Sequence, residues 1–458
     1  MRLTVRDRVT AVATFRFIHV QLLETLAYWI PTTPEMEVKI LFGQHIWDIA
    51  QQADALGKRT YELRKPAHLS LRPTDDYLRV LEVLAALPTT AERLYGFYEL
   101  ILPDLARHYQ TYLQQTDRLM DAPTVRILER MLTEVGNLRQ ASQALCAALR
   151  FSLMASSPQN QYLMHLQSVV QELVAPGAPA LPQHDSIMTP RYTPEPMHIG
   201  GLTLRCDPVR ERCFRVVHLP TEMHEYPDMS PVSQRERLHR HMNNEIGSIE
   251  IAAQCLADFP TAPWELRMQL ARQCWDETRH VEMLYRRLQE LGGYKGEFPV
   301  ANLEWTITCM LDSLPARLAV QNRTFEAGLM DLLGKLVDRW REVGDDRTAD
   351  MLDGILVDEI QHVRFANQWI KRLAQEDPRV LLHIAMAMRF LTRAITALSA
   401  QPGEVNAVGT VLGGAEAQPP AVNVTDRQHA DFTSDEIHTI LRQAGFRSLT
   451  LDAEGVPA

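Results

Sequence analysis

The chain of 458 residues lacks the features that would assign it to a membrane, secreted or nucleic-acid-binding class. No run of eighteen apolar residues occurs, so no membrane span is expected. The N-terminal residues from Met1 to Asp7 lack the apolar core of a signal peptide. The net charge is −10 rather than positive, which argues against non-specific nucleic-acid binding.

Cysteine is sparse, with six residues and no Cys-x-x-Cys spacing. Free thiols in a reducing cytoplasm are therefore expected, and we predict a cytoplasmic protein. Hydrophobic residues make up 46% of the chain, an ordinary value for a globular protein with a sizeable core. The length predicts two domains or more.

The pattern of apolar residues predicts an all-α protein that proline and glycine divide into four parts. These parts are a helical bundle at 1–175, a proline-rich linker or wrap at 176–231, a second bundle at 232–375, and a C-terminal helix with an extended tail at 376–458.

Helical periodicity and capping signals predict the elements of the C-terminal half. The predicted helices lie at about 233–258, 263–291, 301–312, 313–343, 346–374 and 378–399. A capping box at Thr433–Glu436 predicts a last short helix that ends at Gly445. A short hairpin is predicted from Leu202 to Val217; Cys206 and Cys213 could pair across it, although free thiols are favoured.

Two copies of an Asp-Glu-x-x-His motif lie on predicted helices about 80 residues apart. They are Asp276-Glu277-Thr-Arg-His280 and Asp358-Glu359-Ile-Gln-His362. Three residues are close to one helical turn, so each Glu and His leave the same face and can bind one ion. A third match, Glu195-Pro-Met-His198, lies in the proline-rich stretch, where helical geometry is not expected.

A four-helix dinuclear site also needs one carboxylate from each of two further helices. The helix at 233–258 offers Glu245 and Glu250; Glu245 is favoured, and Glu250 remains the alternative. The helix at 313–343 offers Glu326. The predicted ligands are therefore Glu245, Glu277, His280, Glu326, Glu359 and His362.

The residues around these ligands are also given roles by the sequence. Asp276 and Asp358 each lie one turn before a predicted histidine ligand. They are expected to accept the second N–H of the histidine ligands, within or across helices. Arg279 and Arg364 are weaker candidates to pair with these aspartates. His241, four residues before Glu245, could line the pocket, but an ordinary exposed histidine is favoured.

The predicted ligand set has a composition that suits two divalent transition metals. Four carboxylates carry about −4 and two divalent ions carry +4, so the assembly is near neutral and tolerates an apolar core. Two imidazoles favour iron or manganese over calcium or magnesium.

The two halves of the sequence resemble each other. Glu134 aligns with Glu359 and Asn137 with His362 at an offset of 225 residues. At an offset of 228 residues, Ile49 replaces Glu277 and Gln52 replaces His280. We interpret the first half as a degenerate copy of the bundle that has lost its metal ligands.

These residues make the segment of roughly 233–375, with a weaker tail to 446, resemble the ferritin-like superfamily of dinuclear iron carboxylate proteins. Asp276–His280 is similar to the Asp-Glu-x-Arg-His turn of bacterial multicomponent monooxygenases and ribonucleotide reductase small subunits. The segment around Asn244 is similar to the first-helix ligand segment of bacterioferritins, which favours Glu245. The whole run looks closest to a ferritin-like family of unknown function.

The resemblance implies a ferritin-like four-helix bundle that holds an Fe/Fe or Mn/Fe pair and uses O2 as co-substrate. The expected activity is that of an oxygenase or hydroxylase, an N-oxygenase or a desaturase, and the expected substrate is a small molecule. A ferredoxin or reductase is expected as the electron donor. A homodimer is one assembly that is expected. N-oxygenases of the arylamine type carry an extra His where this chain has Ile355, which argues against that mechanism. The alternatives are a ferroxidase or iron-handling protein, and a non-catalytic binding module with a residual metal site.

Overall fold

The computed structural model describes residues 3–154, 196–199, 201–218, 223–399 and 422–445. These residues are mostly helical, which confirms the predicted all-α helical-bundle fold. Within them the only sheet is an antiparallel pair, β1 (Met197–Ile199) and β2 (Leu202–Leu204).

The described residues form the following helices, in chain order. The N-terminal half contains α1 (Val5–Thr32), α2 (Met36–Glu62), α3 (Asp75–Ala85), α4 (Thr90–Leu94), a π-helical segment π1 (Tyr95–Ile101), α5 (Leu102–Gln115) and α6 (Ala122–Met154). The C-terminal half contains α7 (Pro231–Asp258), α8 (Trp264–Glu290), α9 (Leu303–Thr308), α10 (Leu314–Val320), a second π-helical segment π2 (Gln321–Glu326), α11 (Ala327–Glu342), α12 (Asp346–Glu376), α13 (Arg379–Ser399), α14 (Val424–His429) and α15 (Ser434–Gln443).

Local capping chemistry sets several of the helix ends. Thr433 and Glu436 form the predicted capping box of α15. Asp345 caps α12 by accepting a hydrogen bond from the Thr348 backbone N–H. The chain leaves α8 through Gly292, whose φ of +81° is a left-handed conformation that glycine adopts without a Cβ penalty.

One local prediction needs correction. The hairpin does not run from Leu202 to Val217: β1 comes earlier in the chain, and Gly201, with a φ of +76°, occupies the turn. Val216 instead forms an isolated parallel bridge with Val300. Cys206 and Cys213 do not form a disulfide with each other.

The third Glu-x-x-His match is not helical at its histidine, because His198 lies in β1. Glu195 lies outside the described residues. So do residues 176–195, 200 and 219–222 of the predicted proline-rich linker, and residues 400–421 and 446–458 of the predicted C-terminal segment.

The chain divides into two compact units, and their limits differ from the predicted domains. The first unit comprises the described parts of Met1–Thr193, Val209–Glu211 and Ala252–Thr278. The second comprises those of Pro194–Pro208, Arg212–Ile251 and Arg279–Ala458. The helices α7 and α8 each contribute residues to both units.

Polar contacts in the first unit explain why the start of α8 is grouped with the N-terminal helices. Trp264 donates its indole N–H to Asp54 at 3.0 Å. Arg267 forms a buried ion pair with Glu24 at 2.7 Å. Both partners lie on the long N-terminal helices, so these bonds fix residues of α8 against α1 and α2.

The second unit has a hydrophobic cluster between β2, α9, α10, π2 and one face of α13. Its buried members are Leu202, Leu204, Ile307, Ala316, Val320, Phe325, Ala387, Leu391, Ala394 and Leu398. Helix α13 buries a stripe with helical spacing and leaves Leu381, Leu382 and Met386 exposed.

Within the described residues, one helical stretch, Arg379–Leu398, is long and apolar enough to cross a membrane. Length and composition are weak evidence, because a buried core helix passes the same test. One face of this stretch belongs to the hydrophobic cluster. The absence of a membrane span stays a prediction.

Candidate metal centre

Four helical segments carry the six predicted ligands. Glu245 lies on α7, Glu277 and His280 on α8, Glu326 at the end of π2, and Glu359 and His362 on α12. None of these residues exposes more than 4% of its surface. Burial of four carboxylates is costly without a compensating charge, so this cluster requires a chemical explanation.

The structure brings the six side chains together in two overlapping groups. The first ligand group is Glu245, Glu277, His280 and Glu359. The second ligand group is Glu277, Glu326, Glu359 and His362. Within each group, one ligand atom from every residue lies within 4.8 Å of the others. Each group could therefore hold one metal ion, and Glu277 and Glu359 belong to both.

The two histidines face the same cluster of carboxylates. Their ring centroids lie 6.3 Å apart. His280 Nδ1 lies 3.4 Å from Glu245 Oε2 and 3.5 Å from Glu359 Oε1. His362 Nδ1 lies 3.5 Å from Glu359 Oε2. Nδ1 is thus the nitrogen that each imidazole presents to the centre.

Asp358 lies on the outer side of His280, on the neighbouring helix. Its Oδ2 is 3.2 Å from His280 Nε2 and 2.6 Å from Arg279. Burial would raise the pKa of Asp358, but the hydrogen bonds from His280 and Arg279 outweigh it and lower that pKa. An ionised Asp358 accepts the Nε2–H of His280, which leaves Nδ1 available for a metal.

Several ligands have a polar partner one turn earlier on the same helix. Gln273 donates to Glu277 at 3.1 Å, and Asn322 donates to Glu326 at 2.9 Å. Both donors are neutral amides, which orient the carboxylates without neutralising them. Sequence reasoning missed these two residues, although the spacing of four that places them beside the ligands is visible in the sequence.

His241 was interpreted as an exposed histidine, and that interpretation is wrong. Its side chain is only 12% exposed, and its Nε2 lies 2.7 Å from Glu245 Oε1. The helix α7 turns this side chain inward because residues four apart share a face.

The remaining predicted residues have the following positions. Glu250 is buried but belongs to neither ligand group of the described residues. Asp276 accepts two hydrogen bonds from Arg272, at 3.0 and 2.9 Å. Arg364 donates to the carbonyl of His429 and to Gln361, rather than to either aspartate.

The π-helical segment π2 interrupts the helix that was predicted as continuous over 313–343. A π-helical turn contains an extra residue, so it rotates the side chains that follow it relative to an α-helix. Glu326 is the last residue of this segment and is buried. Its place in the second ligand group therefore depends on a distortion that regular helical periodicity does not predict.

The donor set fits a pair of divalent ions. Among the described residues, Glu245 Oε1 and His241 Nε2 are buried atoms without a hydrogen-bond partner. Buried polar atoms normally have a partner, and a metal ion would supply one here. Four carboxylates would balance the charge of two divalent ions, and the two imidazoles add nitrogen donors.

A comparison with protein families finds one match. Residues 196–438, more than half of the chain, match a family described as "Protein of unknown function (DUF455)". The matched segment contains all six predicted ligands. No curated protein matches the chain. No solved structure matches it either.

Proposed function

Because the chain belongs to the DUF455 family of unknown function, its chemistry has to be inferred from the centre itself, and we propose that it is an O2-activating oxidoreductase with a dinuclear metal centre. The metal pair is Fe/Fe or Mn/Fe, and the bundle around it is of the ferritin-like type. The substrate is a small molecule, and a ferredoxin or reductase supplies electrons.

The observation that carries this proposal is the sharing of two carboxylates between the two ligand groups. Glu277 and Glu359 could contribute to the binding of both ions, because each belongs to both groups. Glu245 and His280 would help to hold one ion, and Glu326 and His362 the other. Exposed acidic groups are common without a metal ion, whereas all six residues of this cluster are buried.

The bound metal pair would supply the redox chemistry that activates O2, and the protein supplies position and environment. The carboxylates neutralise the ions inside an apolar core. Asp358, held by Arg279, keeps the Nε2 proton of His280 and so fixes the orientation of its ring. The buried surroundings exclude bulk water from the reacting atoms.

Metal analysis of anaerobically reconstituted protein tests the centre. We expect two iron or manganese ions per chain in the wild type. Glu277→Ala should lose both ions, because Glu277 belongs to both ligand groups. Glu250→Ala is the matched control, since Glu250, on α7, is a buried glutamate like Glu277 but belongs to neither group. A wild-type protein that binds no iron or manganese would contradict the proposal.

The oxidoreductase part has a separate test. Protein loaded with Fe(II) should consume O2 when a reductant is supplied, and the Glu277→Ala variant should not. A wild type that holds two irons but leaves the O2 concentration unchanged would indicate a binding module instead.

The N-terminal helices have a different role in this proposal, that of a degenerate copy of the bundle. The helices α1 and α7 both have 28 residues, and α2 and α8 both have 27. The copies also share a π-helical segment, π1 in one and π2 in the other. Matching lengths and matching distortions support a common origin.

Contacts at corresponding positions support the same interpretation. Gln52, which aligns with His280, donates to Glu134 at 2.9 Å, and Glu134 aligns with Glu359. His280 and Glu359 are themselves 3.5 Å apart. A hydrogen bond between an amide and a carboxylate thus replaces a pair of metal ligands. The first copy would shape and support the protein without binding metal.

A further inference from the structure

His241 and Glu245 lie one turn apart on α7 and touch at the edge of the first ligand group. The distance from His241 Nε2 to Glu245 Oε1 is 2.7 Å. Both atoms are buried, and among the described residues neither has a partner with hydrogen-bond geometry. The two atoms are therefore close without an N–H pointing from one to the other.

This side-by-side contact is the arrangement expected for two ligands of one metal ion. Ligand atoms on adjacent positions of an ion, each roughly 2.0–2.2 Å from it, lie about 3 Å apart. Their lone pairs point at the ion rather than at each other, so they lack hydrogen-bond geometry. We propose that His241 is a further ligand of the centre, binding through Nε2 the ion that the first ligand group holds.

This inference rests on the proposed dinuclear centre. It makes the two metal positions of that centre unequal. The ion of the first ligand group gains a second imidazole, whereas the ion of the second ligand group has His362 alone. Nitrogen and oxygen donors select different metals and tune their redox behaviour differently. An unequal pair gives the centre two chemically distinct positions.

Cobalt(II) loading with chelator competition tests the assignment. The affinity of each ion and its visible d–d spectrum would be measured in wild type, His241→Phe and His241→Gln. Both variants should lower the affinity for one of the two cobalt ions by about 10- to 100-fold and change the spectrum of that ion, because neither side chain is an imidazole. The other ion should keep its wild-type affinity.

The glutamine variant separates a ligand from a positioning residue, because its amide can still donate to Glu245 but binds metal poorly. A wild-type cobalt spectrum in His241→Gln would overturn the inference. Thermal unfolding of the metal-free variants checks the fold, and should His241→Phe not fold, His241→Gln decides alone. A wild type that binds no metal would instead contradict the dinuclear centre on which the inference rests.

Discussion

At the scale of single residues, the histidines of this chain differ in what their ring nitrogens face. His280 turns Nδ1 toward two carboxylates and Nε2 toward Asp358. His239, on the same helix as His241, instead accepts a hydrogen bond from the Gly296 backbone N–H at 2.8 Å. It packs against Phe214 and Phe298, so it must be neutral in the folded protein.

The neutral state of His239 predicts a pH dependence of stability. Burial lowers the pKa of His239 from 6.5 to about 4. Between these two pH values the unfolded chain binds a proton that the native chain does not. The contribution of neutral His239 to the free energy of unfolding is therefore complete above pH 6.5 and is lost as the pH falls toward 4. The whole contribution is about 3 kcal/mol, from 1.4 kcal/mol per pKa unit.

The variant His239→Gln isolates this effect in metal-free protein. Glutamine can still accept the Gly296 N–H but does not titrate. The free energy of unfolding of wild type relative to the variant should therefore fall by about 2 kcal/mol between pH 7 and pH 5, measured by denaturant titration. A difference that stays constant over this range would show that His239 is not held neutral.

The sequence identified residue types better than residue contacts. Glu277, His280, Glu359 and His362 were found because each pair repeats at a helical spacing. The contact of His241 with Glu245 was missed because an isolated histidine on a helix is compatible with either an inward or an outward position. Only the rotation of α7 in the packed structure decides between them.

At the scale of helices, the ends that carry local signals were predicted closely. The predicted helix at 346–374 is observed as Asp346–Glu376, and the one at 263–291 as Trp264–Glu290. Caps and left-handed glycines act within a few residues, so they can be read from the sequence. The segments π1 and π2 have no such signal, because a π-helical turn is stabilised by the packing and ligands around it.

The two bundles also make a prediction at this scale. A triple variant would return residue types that bind metal to the first copy, beside the existing Glu134. It combines Ile49→Glu, Gln52→His and Asn137→His. The metal-free variant should be less stable than wild type, because Ile49 is fully buried and a charged glutamate there costs free energy. Added metal should restore the unfolding temperature, and metal analysis should find at least one more ion per chain.

Gln52→His alone is the control for this design, because it changes one contact of Glu134 without adding a carboxylate. It should leave the metal content of the chain unchanged. A helical triple variant with the metal content of wild type would count against the interpretation of the first half as a degenerate copy.

At the scale of the whole molecule, length separates the proposed enzyme from a storage protein. Iron-storage subunits are usually short single bundles that close into a shell, whereas this chain of 52.2 kDa carries a second set of helices. Light scattering of metal-loaded protein should give the mass of one or two chains. A particle of many subunits would instead favour the ferroxidase or storage alternative.

The sequence by itself determined the helical fold, the limits of several helices in the C-terminal half, and the identity of the six predicted ligands. These features depend on interactions within one or two helical turns. The tertiary structure decided which carboxylate of α7 joins the ligands, that Asp358 bonds His280 across helices, and that His241 touches Glu245. These outcomes depend on how each helix is rotated about its axis, which is fixed by packing between residues far apart in the chain.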